Sequence, residues 1–259
     1  MPDYRSEAAD YYDLAPHKPN DVPFYIEHLP RADAAVLELG CGTGRVTLPL
    51  SAHCAFIQGV DHSEAMIEIC ESKLAAADIA PARAMVRHAD FTTCSLERRF
   101  DYIIAPFRVL QNVVSDADVE ALFRMIAEHL EPDGLAILNV FRPNRGPDKL
   151  VEQWGEGGEE RMWEVMDGED KVVCSVRRSG FNTKPLVLYP DSIYRRSRSG
   201  NLLDEAVLSV PMRCYYPTEF TALIERRGFE VVEQWGGYGG EPYGEGTELI
   251  VAMRPESRS

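Results

Sequence analysis

Three glycines on alternate positions, Gly40, Gly42 and Gly44 within Glu38-Leu-Gly-Cys-Gly-Thr-Gly44, close one apolar run and lead straight into a helix. Glycine accepts positive φ and carries no Cβ, so such a turn brings main-chain N–H groups against a ligand and leaves the helix N-terminus free to donate. A GxGxG turn alone also serves plain strand–helix packing; its place after the first strand of a βαβ unit is what points to binding. Asp61 ends a second apolar run, followed by His62 and Ser63. A carboxylate at a strand tip accepts hydrogen bonds from both hydroxyls of a ribose, although the same residue would also serve simply to cap the Ser63 helix. A third run leads to Asp90-Phe91, where a carboxylate can accept an exocyclic amine of adenine while Met66 and Phe91 cover the ring faces.

These residues need a frame that brings three strand tips together. Compact apolar runs at 34–39, 55–60, 84–88, 101–105 and 134–140 alternate with amphipathic segments, the pattern of βαβ units around a buried parallel sheet. Ser63 is suited to cap a helix whose Met66, Ile67, Cys70 and Leu74 form one stripe. Asp116 or Asp118 opens another, with Val119, Leu122, Phe123, Ile126 and Leu130 at helical spacing and Pro132-Asp-Gly134 as its stop.

After Val140 the alternation fails. Residues 142–160 read as loop, and 161–216 as antiparallel strands punctuated by Asp167-Gly168, Ser179-Gly180, Pro190-Asp191 and Ser199-Gly200. A helix over 218–227 and strands at 229–235 and 247–253 complete the pattern. The expected fold class is α/β: a seven-stranded, mostly parallel Rossmann-like sheet with helices on both faces, plus an antiparallel β insertion. The expected domains are an N-terminal cap (1–33), a core (34–141 and 217–256) and an insertion (142–216) covering the acceptor site.

The chain has 27 basic and 42 acidic side chains and a formal net charge of −15, which argues against nucleic acid and anionic lipid as partners. No apolar run reaches the roughly 18–20 residues of a membrane span, and the first residues lack the shape of a secretory signal, so a cytoplasmic location is expected. Six cysteines without a CxxC pair suggest neither a metal cage nor a disulfide framework, and no metal is expected. The six histidines, His17, His28, His53, His62, His88 and His129, include none that can be placed as a catalytic base.

Glycine loop, acid and acid at successive strand tips resemble the class I S-adenosylmethionine-dependent methyltransferases, in their small-molecule branch. The likeness is clear over 34–140, is present in outline over 217–254, and extends to Tyr12-Asp13-Leu14 and Asp21-Val-Pro-Phe-Tyr25, which look like an N-terminal cap. It implies S-adenosylmethionine as cofactor, with its methionine end on the first loop, its ribose on the second acid and its adenine at the third. Cofactor-binding roles follow for Tyr12, Glu38, Gly40, Cys41, Gly42, Thr43, Gly44, Asp61, His62, Met66, Asp90, Phe91 and Ala105.

Arg45 stands where a nicotinamide-binding loop places its third glycine, which argues against an oxidoreductase. Ala105-Pro106-Phe107-Arg108 departs from the polar-Pro-Pro-aromatic run of enzymes that methylate nucleobase amines. Around the acceptor, strand tips and the insertion's end offer Arg108, Gln111, Asn139, Phe141, Arg142, Arg213, Tyr215 and Tyr216, with Tyr238 beside them. The expected reaction is methyl transfer to a small-molecule substrate, an amine favoured over a hydroxyl because no general base is evident. A non-catalytic cofactor-binding regulator on the same fold is the alternative reading, and the β layer could equally form a homodimer surface.

Overall fold

The computed structural model describes residues 8–16 and 19–256. Its elements are α1 (Ala9–Tyr12), α2 (Val22–Glu27), β1 (Ala35–Leu39), α3 (Thr47–Leu50), β2 (Phe56–Asp61), α4 (Glu64–Ala76), β3 (Ala84–His88), β4 (Phe100–Ala105), α5 (Asp116–His129), β5 (Leu130–Phe141), α6 (Pro147–Gly155), β6 (Glu159–Asp167), β7 (Asp170–Thr183), β8 (Leu186–Arg198), β9 (Asn201–Ser209), β10 (Met212–Arg213), α7 (Pro217–Glu225), β11 (Phe229–Trp235) and β12 (Glu248–Pro255). The main sheet has the strand order β11-β12-β5-β4-β1-β2-β3. Its first five strands run parallel, while β12 is antiparallel to both β5 and β11.

Both faces of this sheet are covered, which is why its central strands, such as β1 and β4, are buried along their whole length. Leu37, Leu39, Ile103 and Leu138 pack on one side with α5 and α7, whose Leu122, Ile126, Phe220 and Ile224 are buried there. Val36, Ile57, Ile104 and Ile250 face the other side, against Ile67, Cys70 and Leu74 of α4 and Phe24 and Tyr25 of α2.

The helix starts follow local chemistry. Ser63 caps α4, its hydroxyl accepting the Met66 N–H at 3.4 Å. Ser115, rather than Asp116 or Asp118, caps α5 by accepting the Asp118 N–H at 3.0 Å. That helix ends at His129 without help from Pro132-Asp-Gly134, because β5 begins at once with Leu130. Phe100 pairs with Leu130 and Tyr102 with Leu135, so the Pro-Asp-Gly residues form an irregularity in the strand edge.

The segment expected as loop contains α6, with Pro147 at its first turn and Leu150 buried. In the insertion the chain reverses at Gly168, Lys184-Pro185 and Ser199-Gly200. Ser179-Gly180 and Pro190-Asp191 lie inside strands, the former as a bulge opposite Tyr189 and Pro190. One face of this second sheet buries Val172, Cys174, Tyr194, Ala206 and Leu208 against Ala8 and Tyr11 of the cap, and Tyr11 stacks on Tyr194 at 5.3 Å.

Candidate functional site

The glycine loop sits at the C-terminal tip of β1 with Gly40, Gly42 and Gly44 all at positive φ. Packing explains two of them: a Cβ at Gly40 would meet Val109 at 2.5 Å, and one at Gly44 would meet Leu48 at 2.4 Å and Cys70 at 2.5 Å. Gly42 is different, because nothing lies within 4 Å of where its Cβ would stand. The backbone there faces open space, as a ligand cradle requires.

Asp61 is fully buried; one oxygen accepts the Gly42 N–H at 2.9 Å and the other the Ser63 N–H at 3.0 Å. His62 Nδ1 lies 3.6 Å from the same carboxylate. Both carboxylate oxygens thus accept main-chain N–H groups that flank the loop and the start of α4. Since Ser63 itself caps α4, Asp61 does more than start a helix. It straps the glycine loop to the tip of β2.

Glu38, below the loop, is buried and accepts the Thr47 hydroxyl. Burial pushes its carboxyl up to about 8, with the Thr47 bond and Arg45 opposing. Asp90, at the third tip, takes both the N–H and the hydroxyl of Thr92, at 2.9 and 2.6 Å. Burial would raise it, but those bonds outweigh that effect and hold it below the usual carboxylate range.

Other expected contributors have different work. Cys41 turns its thiol into the core against Gly59, and its N–H is taken by the Val60 carbonyl at 3.1 Å. Met66 and Phe91 are buried, so neither shows an exposed face for the expected adenine sandwich, and Ala105 is buried at the end of β4. Thr43 donates to Asp13 at 3.0 Å, while Lys73 binds both Asp13 and the Thr43 carbonyl. Arg45 grips the buried Asp21 through two bonds. Asp13 and Asp21 thus clamp the cap to the loop, a role the sequence hints at only by placing acids around the cap's aromatic residues. His17 lies outside the described residues.

Beyond β4, Phe107 and Arg108 both have positive φ, at 55° and 70°, conformations costing on the order of 1–3 kcal/mol each in a non-glycine residue. Arg108 is held there. Asn139 accepts its N–H at 3.1 Å, and the buried Glu248 binds its guanidinium through Nε and a terminal nitrogen. Asn139 also donates to Glu248 at 3.0 Å. Glu248 was not among the expected residues; its signal is an acid opening the apolar run of β12.

A cavity of about 260 Å³ joins Gly40 and Tyr12 to Pro106, Phe107, Arg108, Val109 and Asn112 on the core side, and to Pro190, Ser192, Tyr194, Leu208, Val210 and Met212 on the insertion. Of the other expected acceptor residues, Phe141 and Arg142 border a neighbouring cavity, and Tyr238 a third. Gln111 is buried and bridges two backbones, donating to Arg213 O at 2.9 Å and accepting the Phe141 N–H at 2.7 Å. Arg213 pairs with Asp116 at 2.7 Å and donates to Val114 O. Tyr215 is a core residue, 1% exposed beside Phe220, and Tyr216 donates to Arg145 O. Gln111, Arg213 and Tyr215 therefore fasten the insertion to the core instead of facing a substrate. Their polar and aromatic types gave no sign of burial in advance.

Residues 36–134 match a family profile described as a methyltransferase domain. Among curated relatives, the dTDP-3-amino-3,6-dideoxy-alpha-D-glucopyranose N,N-dimethyltransferase of Streptomyces fradiae is 27% identical over 149 residues, which is 54% of this chain and 55% of that protein. The cypemycin N-terminal methyltransferase of a Streptomyces species is 24% identical over 255 residues, 96% of each chain. The chain thus matches about half the length of the first relative and nearly all of the second. Among solved structures, the CcbJ methyltransferase of Streptomyces caelestis superposes with a TM-score of 0.78 at 21% identity, covering 98% of each chain. No helix among the described residues is long and apolar enough to cross a membrane.

Proposed function

We propose that this chain, an S-adenosylmethionine-dependent methyltransferase of the class I Rossmann-like fold, transfers the methyl group to the uncharged amine of a small molecule. The observation that carries the amine is the lining of the cavity between Gly40 and the insertion, which among the described residues holds no aspartate, glutamate or histidine, its ionisable groups being Arg108 and the phenols of Tyr12 and Tyr194.

The residues present fit the cofactor. Gly42 offers an open backbone cradle, and the Asp61 carboxylate lies directly beside it at the tip of β2. Asp90, kept ionised by Thr92, stands at the next strand tip as the acceptor proposed for the adenine amine. When bound, S-adenosylmethionine supplies a methyl group already activated on a sulfonium. The chain's own task is then alignment and the exclusion of water. Tyr12 from the cap and Tyr194 and Leu208 from the insertion close the cavity over Gly40.

A hydroxyl acceptor would need a base to take its proton during attack, whereas a neutral amine attacks through its own lone pair and loses its proton afterwards. The two relatives described above are named for methylation of an amino sugar and of a peptide amino terminus, both amines. We place the enzyme in the cytoplasm, in keeping with its six free cysteines. Any homodimer would use the outer edge of the insertion, where Met162 and Met166 are exposed.

The test uses matched pairs of amine and hydroxyl compounds, with amino sugars and short peptides included, and mass detection of methylated product. Amines should react faster by roughly a hundredfold or more, the span a missing general base represents, and their rate should rise with pH along the titration of the acceptor itself. Comparable turnover of the hydroxyl partners would overturn the reading.

A further inference from the structure

Arg108 borders three cavities: the one over Gly40, about 260 Å³; the one at Phe141 and Trp154, about 360 Å³; and the one at Tyr238 and Glu241, about 540 Å³. Its backbone and one side of its guanidinium are fixed, while 34% of the side chain stays exposed toward the cavities. Both it and Phe107 are held at positive φ, Asn139 accepts its backbone N–H, and Glu248 takes two of its guanidinium nitrogens. The rings of Phe107 and Phe141 lie at 5.7 and 5.6 Å from the guanidinium carbon. Its charge is answered internally by a carboxylate that is 7% exposed. A side chain so neutralised and immobilised is poorly suited to capture an anion, and well suited to act as a wall.

We infer that Arg108 is a fixed partition that sets the size of the acceptor, separating the chamber over the glycine loop from the two cavities beyond it. This rests on the proposed methyl transfer to an amine in that chamber. The chamber over the glycine loop has about half the volume of the cavity at Tyr238 and Glu241, about 260 against 540 Å³, so a wall between them limits what fits beside the loop. Removing the partition joins the chamber to its neighbours, and the limit moves upward.

Replacing Arg108 alone would strand the buried Glu248, so the informative variant is the pair Arg108→Ala with Glu248→Gln, which removes the bulk of the partition, keeps an acceptor for Asn139 and removes both charges together. Wild type and variant are saturated with S-adenosylhomocysteine and titrated calorimetrically with benzylamine and biphenylmethylamine, and separately with the neutral fluorescent probe N-phenyl-naphthylamine. The expected result is a gain of tenfold or more in affinity for the biphenyl amine in the variant, a brighter bound probe, and S-adenosylhomocysteine affinity within twofold of wild type. An unchanged preference between the two amines together with unchanged probe fluorescence overturns the partition. So does a collapse of S-adenosylhomocysteine affinity, which would assign Arg108 to the cofactor. If neither protein binds any amine while the probe still distinguishes them, the partition stands and the amine reading falls.

Discussion

The Asp61 carboxylate receives the Gly42 N–H at 2.9 Å, so the acid at the tip of β2 and the open glycine of the β1 loop are bonded directly to each other. Asp61→Asn preserves size but replaces one acceptor oxygen by a donor, which then faces either the Gly42 or the Ser63 N–H. Cofactor affinity measured by calorimetry should fall at least tenfold. Urea unfolding should show a loss of about 1–3 kcal/mol, the cost of leaving a buried donor unpaired. A loss of affinity below threefold would confine Asp61 to a structural role.

Gly42 and Gly44 should separate binding from stability. Gly42→Ala meets no atom within 4 Å, so it folds with about 1 kcal/mol of backbone cost while obstructing the cradle. Gly44→Ala drives a methyl into Leu48 and Cys70 and adds an overpacking cost of about 1–3 kcal/mol. Circular dichroism melts and cofactor titration of both variants check this. Normal binding by Gly42→Ala would remove the loop from the site.

Glu38 makes stability depend on pH in a defined direction. Its folded carboxyl titrates at about 8 against an ordinary value of 4.5, because burial disfavours the charge. Folding therefore binds a proton between those values, and stability falls as pH rises through that window, by on the order of a few kcal/mol in all. Glu38→Gln keeps an acceptor for the Thr47 hydroxyl and should flatten the decline. Melting temperatures at pH 5 and pH 8 for both proteins test it, and equal slopes would contradict the assignment.

Tyr215 and Tyr194 should behave oppositely although both belong to the second half of the chain. The Tyr215 hydroxyl is buried with no hydrogen-bond partner among the described residues, so Tyr215→Phe should leave stability unchanged or raise it by up to about 1 kcal/mol, with no effect on acceptor choice. Tyr194 borders the chamber over Gly40, and Tyr194→Ala should alter the relative rates of different acceptors while cofactor affinity stays within threefold. An unaltered acceptor profile would exclude the insertion from substrate choice.

The main sheet was legible because both its faces are covered, which turned its central strands into apolar runs, and because Ser63 marks a helix start by local chemistry. The placement of Gly42, Asp61 and Asp90 at successive strand tips followed from spacing, since βαβ topology delivers strand tips to one edge whatever the remaining sequence does. Helix α6 escaped notice because its apolar side is short, essentially Leu150 and Trp154 amid polar residues. The acceptor side was harder. Gln111 and Tyr215 have the composition of pocket residues, yet long-range contacts with Arg213, Phe141 and Phe220 bury them, and no local pattern encodes such contacts. The pair of Arg108 with Glu248 joins positions 140 residues apart, which only the finished sheet brings together.

The cap links two parts of the molecule: Tyr11 bonds to Asp204 of the insertion, while Asp13 and Asp21 bond to Thr43 and Arg45 of the loop. In evolutionary terms this makes the cap and the insertion a single exchangeable cassette encoded at two distant places in the gene. A recombination that swapped residues 159–213 alone would inherit an insertion whose Asp204 meets a foreign partner and whose Tyr194 has lost its stacking ring. New specificities on this scaffold should therefore arise through paired replacement of both segments, or through point changes within the chamber, more readily than through transplanting the insertion by itself.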